Sequence, residues 1–244
     1  MRPLLLVAAL LSCAGGVSYA QTAQNQQLAV QRDTWHWEDE IRQFEAADRQ
    51  DPPKPGGILF VGSSSIRLWP RLQAEFPGVN VIQRGIGGAI LLDVLHFTPR
   101  IVLPYKPKLI FLYAGDNDLA DGWTPQAVFQ NYKAFVRVVH RALPTTRIVY
   151  ISIKPSPQRW AIAPKARATN ALISDYAARN PNLSYVDVFT PMLGADGLPR
   201  EELYGDDHLH MNSRGYALWK QLLTPDVVMA TRSLGTKREV KRLR

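Results

Sequence analysis

Cysteine is almost absent from this 244-residue chain: the single thiol, Cys13, lies within the first twenty residues. That excludes a disulfide framework and any cysteine-built metal ribbon, so the fold must be held by its core. Long hydrophobic runs are missing as well. The longest, Leu4 to Leu11, falls short of the roughly 20 residues needed to cross a bilayer core of about 30 Å. No P-loop, dinucleotide fingerprint or zinc-ribbon spacing occurs, which removes the usual sequence signs of a cofactor, and none is expected. Internal repeats are absent too.

What is present divides the chain into four stretches. Arg2, the apolar run and the small residues Ser18 and Ala20 read as a signal peptide over 1–20, cleaved before Gln21. The protein is therefore expected to be exported, periplasmic or secreted. Leu10-Leu11-Ser12-Cys13 loosely resembles a lipobox, so anchoring through a lipidated Cys13 is the alternative. Residues 21–56 form an N-terminal extension: a Gln-rich start, a helix around Thr34 to Arg49 and a Pro/Gly connector. Trp35, Trp37, Ile41 and Phe44 give that helix a packing face. Residues 57–230 read as one domain, since a 244-residue chain that is 46% hydrophobic and 20% charged suits a single sizeable core. Residues 231–244 form a basic tail that holds part of the formal +8 charge and reads as a solvated, disordered end. Nucleic acid is not an expected partner, and oligomeric state is not legible.

Within 57–230, apolar runs alternate with longer amphipathic stretches, as in parallel-sheet α/β proteins. Strands are read near Ile58–Val61, Val79–Ile82, Leu109–Tyr113, Ile148–Ile153 and Tyr185–Val188. The clearest helix covers Pro125 to Leu143, where Val128, Tyr132, Phe135, Val136, Val139 and Leu143 recur at helical spacing. Others follow Ser65, Ala89, Pro164 and Ser213.

Four segments carry chemistry. Gly62-Ser63-Ser64-Ser65 follows the first strand, and Asp207-His208-Leu209-His210 lies near the C-terminus. An Asp three residues before a His can orient and charge-stabilise an imidazole, which in turn activates a serine. Between them, Gln83-Arg84-Gly85-Ile86-Gly87-Gly88 offers backbone N–H groups on a glycine-rich turn, and Gly115-Asp116-Asn117-Asp118 offers an amide. Donors of this kind stabilise the oxyanion of an acyl-transfer intermediate. Each segment alone has a plainer reading. The serines serve as helix caps, the glycines and the Asp-Asn-Asp run as turn residues, and Asp206, Asp207, His208 and His210 as metal ligands.

The four segments in this order resemble the four blocks of the SGNH hydrolases, the superfamily of GDSL-type esterases and lipases, over roughly residues 57 to 222. The resemblance implies an α/β fold of three α/β/α layers around a flavodoxin-like parallel sheet of about five strands. It implies Ser64 as nucleophile, His210 as base and Asp207 as its orienting carboxylate, with Ser64 N–H, Gly88 N–H and the Asn117 amide as the oxyanion hole. Ser63 replaces the Asp that the first block usually carries, making a GSSS-type variant. Gln83 replaces the Asn of the second block, which leaves Gly85 or Gly87 as other donors. The implied substrates are small acyl esters or acylated carbohydrate, and Trp69, Trp123 and Trp160 are candidates to border a sugar. A metal-dependent hydrolase and a noncatalytic carbohydrate-binding envelope module are the alternatives. Ser64 at a helix N-terminus would also profit from the helix dipole.

Overall fold

The computed structural model of the chain describes residues 34–242, with side chains for 36–232. The leader, Cys13, the Gln-rich start, the side chain of Trp35 and the side chains of the tail from residue 233 lie outside that span.

Five apolar segments form the strands: β1 (Ile58–Gly62), β2 (Val81–Gly85), β3 (Leu109–Tyr113), β4 (Arg147–Ile151) and β5 (Leu183–Val186). All pair in parallel, in the order β2-β1-β3-β4-β5. β1 and β3 are buried at every position, which explains their unbroken apolar runs: both faces of a central parallel strand are covered. A 3-10 turn, Thr34–Trp37, leads into α1 (Glu38–Gln50). Two single-turn helices, α2 (Ser64–Arg67) and α3 (Leu72–Glu75), follow β1, and α4 (Leu91–Ile101) follows β2. After β3 come α5 (Asp116–Ala120) and α6 (Pro125–Ala142), after β4 comes α7 (Ala163–Ala178), and α8 (Ser213–Arg242) closes the chain.

This is a three-layer α/β/α arrangement. Ile58, Phe60, Phe111 and Val149 from one sheet face pack in a cluster with Trp69 near α2 and with Tyr216, Trp219 and Leu223 of α8. α6 shows why its sequence reads as helix: the Thr124 side chain accepts the Ala127 N–H at 3.2 Å, and Pro125 occupies the first position, where no N–H is needed. Its Val128, Tyr132, Phe135, Val136 and Val139 are buried, and Tyr132 meets Tyr150 of β4 edge to face on the opposite side of the sheet.

Strand ends differ from the sequence reading for identifiable reasons. β2 runs on to Gly85 because Gln83, Arg84 and Gly85 pair with Phe60, Val61 and Gly62, which leaves a shorter turn than expected. β4 stops at Ile151, and the Ile153 N–H is taken by the Asn170 side chain at 2.8 Å. β5 stops at Val186, and the N–H groups of Val188 and Phe189 turn to the Ser152 hydroxyl at 2.9 and 3.1 Å. At the C-terminus the backbone is helical from Ser213 to Arg242, without a break at residues 230–231.

Candidate active site

Gly62 is in register with both Gly85 and Tyr113, so β1, β2 and β3 end side by side. The chain leaves these ends into Ser64, Gly88 and Asn117, at the strand-order reversal where open α/β sheets bind ligands. The loop before α8 brings His210 over the same edge. His210 Nε2 lies 3.0 Å from Ser64 Oγ, and its Nδ1 lies 2.5 Å from Asp207 Oδ2. With the serine hydroxyl donating to Nε2, the neutral ring carries its proton on Nδ1, an assignment made from the network.

Asp207 is held by its own loop. Its Oδ1 accepts the N–H groups of Leu209 and His210 at 3.0 and 2.9 Å, which leaves Oδ2 facing the imidazole. Burial raises the carboxyl pKa, but hydrogen bonds from the His210 ring and from the two backbone N–H groups outweigh it and hold the value at about 2. Asn212 secures the other side: its Oδ1 accepts from Arg214 N–H, capping α8, and its Nδ2 donates to the Glu202 and Tyr204 carbonyls.

The capping alternative for the serines is not what the structure shows. Ser63 precedes α2 but makes no side-chain cap, and its hydroxyl is buried without a partner among the described residues. α2 is a single turn, so the expected dipole shrinks to the individual N–H groups of its first residues.

The second segment splits its work. Gln83 does not face the site: its amide donates to the Ile66 and Trp69 carbonyls at 2.7 and 3.0 Å, tying the end of α2 to β2. Gly85 is where α2 touches the sheet, since a Cβ there would lie 2.1 Å from the Arg67 nitrogen. Gly87 N–H is occupied by the Glu40 carboxylate of α1 at 3.2 Å. Gly88, at φ +72°, keeps an N–H without a partner among the described residues, and Trp37 from the extension packs against it. Glu40 and Trp37, both in the extension, are therefore neighbours of the site. In the sequence only their three-residue spacing links them.

In the third segment Asn117 is buried and directed by two neighbours. Its Nδ2 donates to the Ala89 carbonyl at 2.9 Å, and its Oδ1 accepts from Arg159 at 2.9 Å. Asp118 faces away and accepts the Leu91 N–H at the start of α4 at 3.1 Å. Arg159 escaped the sequence reading because nothing local marks it. Of the tryptophans proposed to border a sugar, Trp69 and Trp123 are buried in the core, and only Trp160 is partly exposed. Among the described residues no three His, Cys, Asp or Glu side chains are gathered as metal ligands; Asp206 and His208 are exposed, outside the Ser64–His210–Asp207 chain.

A family model for GDSL-like lipases and acylhydrolases matches residues 56–218. Among curated proteins, the bovine (Bos taurus) platelet-activating factor acetylhydrolase IB subunit alpha1 is 27% identical over 197 residues, 74% of this chain and 81% of its own length. Among solved structures, a GDSL-like lipase from Bacteroides thetaiotaomicron superposes with a TM-score of 0.68 at 22% identity, covering 78% of this chain and 98% of the other.

Proposed function

The chain belongs to the GDSL-like lipase/acylhydrolase family within the SGNH hydrolase superfamily and is an ester-hydrolysing enzyme, and from that premise we propose a serine mechanism run by Ser64, His210 and Asp207. The observation that carries it is the hydrogen-bonded chain from Ser64 Oγ through His210 to Asp207. His210 Nε2 takes the Ser64 proton as Oγ attacks the ester carbonyl. Asp207 stabilises the imidazolium that results. Ser64 N–H, Gly88 N–H and the second N–H of the Asn117 amide hold the oxyanion. His210 then protonates the departing alcohol, and the acyl-enzyme is released when His210 activates water.

The substrate is a small acyl ester, O-acetyl groups on carbohydrate included. A relative named as an acetylhydrolase supports a short acyl group. The enzyme is exported: Arg2, the Leu4 to Leu11 run, Ser18 and Ala20 support a cleaved leader, and no helix among the described residues is long and apolar enough to cross a membrane. A mature N-terminus at Gln21 is expected, and one at a lipidated Cys13 would replace secretion with anchoring.

A fluorophosphonate probe tests the mechanism. Peptide mapping should find the label on Ser64, undiminished by chelator. Activity lost to chelator and restored by zinc would overturn it, as would turnover without any label on Ser64.

A further inference from the structure

Arg159 lies outside all four segments, on the 3-10 stretch Pro157–Ile162. Its Nη1 donates to Asn117 Oδ1 at 2.9 Å and reaches Asp116 Oδ2 at 3.3 Å. On the far side of the same amide, Asn117 Nδ2 donates to the Ala89 carbonyl at 2.9 Å. A guanidinium can only donate and a carbonyl can only accept, so this pair of neighbours tolerates one orientation of the amide. Turned over, the amide would set its nitrogen against Arg159 and its oxygen against Ala89, leaving buried groups unpaired at about 1–3 kcal/mol each.

The surroundings fix Arg159 in turn. Asp116, almost wholly buried, also faces Lys154 Nζ at 3.8 Å, and the Gln158 N–H donates to the His208 carbonyl at 3.1 Å. The Arg159 segment therefore touches both α5, which carries Asn117, and the loop that carries Asp207 and His210. Donation into the amide oxygen also polarises the amide, which makes its remaining N–H a stronger donor.

We propose that Arg159 is a positioning residue: it locks and polarises the Asn117 amide so that one N–H faces the developing oxyanion. This rests on the reading of Asn117 as an oxyanion donor. The alternative is a purely structural Arg159–Asp116 ion pair.

A double-mutant cycle on a short-chain ester separates the possibilities. Asn117→Ala should lower kcat by on the order of 10² to 10³, the usual loss of one such donor. Arg159→Met should lower kcat at least about tenfold with KM within about twofold, and Arg159→Lys, which keeps one donor, should recover part of the loss. In the Asn117→Ala background, Arg159→Met should cost less than about twofold, because no amide is left to orient. Equal losses in both backgrounds, or an Arg159→Met enzyme with unchanged kcat, overturn the positioning role. Should Arg159→Met fail to fold, the same cycle run with Arg159→Lys decides. An unchanged kcat in folded Asn117→Ala would instead overturn the oxyanion reading on which the proposal stands.

Discussion

Ser63, Ser64 and Ser65 are consecutive hydroxyls in one turn, and the Ser64 hydroxyl meets the imidazole. Ser64→Ala should remove nearly all hydrolysis of p-nitrophenyl acetate. Ser63→Ala should keep most of it and lose no stability, since its buried hydroxyl has no partner to abandon. A dead, folded Ser63→Ala would show the register to be wrong. Asp207 makes a second prediction. Asp207→Asn should lower kcat by up to about 10⁴-fold, because an amide neither stabilises imidazolium nor selects the right tautomer. Its folded carboxyl pKa of about 2 lies below the ordinary aspartate value of 3.8, so the stability it adds is present above about pH 4 and fades as pH falls from 4 towards 2. Unfolding of the native protein and of Asp207→Asn should therefore converge in acid; parallel curves across that window would refute the linkage. The Asp207–His210 contact was legible from its spacing, because the bonds around Asp207 are made within four residues of chain, whereas the contact of His210 with Ser64 spans most of the sequence.

Elements set how those residues meet. α2 can sit on β2 only while residue 85 has no side chain, given the 2.1 Å separation a Cβ would have from the Arg67 nitrogen. Gly85→Ala should push α2 outward, separate Ser64 from His210 and lower both activity and melting temperature; a fully active variant would show that the contact relaxes freely. α1 is clamped to the domain by Arg100, which holds Glu45 through Nε and Nη2 and Glu38 through Nη1, by Asp48 with Arg84 and Tyr105, and by the fully buried Ile41. Ile41→Ala should cost about 2–5 kcal/mol in denaturant unfolding, the usual range for such a cavity. A cost below about 1 kcal/mol would mean that α1 contributes little to the fold. The helix itself was readable from its apolar spacing. Its place beside Gly87 and Gly88 was not, because either glycine offers the same N–H and only the position of Glu40 distinguishes them.

At the scale of the whole molecule, Asp118 ties stability to pH. It is fully buried, and desolvation pushes its carboxyl up to about 7 despite the Leu91 N–H that favours the charged form. A folded value above the ordinary aspartate 3.8 means that the relative stability is greatest below about pH 4 and is lost as pH rises towards 7, a difference on the order of 4 kcal/mol. Asp118→Asn keeps a carbonyl for Leu91 and removes the titration. Melting temperatures of the native protein should therefore decline against the variant between pH 4 and 7 and run parallel above it. A constant gap across that range would show that Asp118 does not titrate there.

The sequence by itself determined the alternation of strand and helix, the order of the four chemical segments and the placement of Ser64, Gly88 and Asn117 beyond the ends of the first three strands. Those features are written locally: a parallel strand buried on both faces must be an apolar run, and a loop that reaches a reacting group must follow its C-terminal end. Tertiary structure alone decided where β4 and β5 stop, which glycine keeps its N–H, and which cation orients Asn117. Each of these turns on a hydrogen bond between residues far apart in the chain, Asn170 with Ile153, Ser152 with Val188, Glu40 with Gly87, Arg159 with Asn117. Many side chains could supply the same donor or acceptor, so the choice exists only once the packed layers bring one of them within reach.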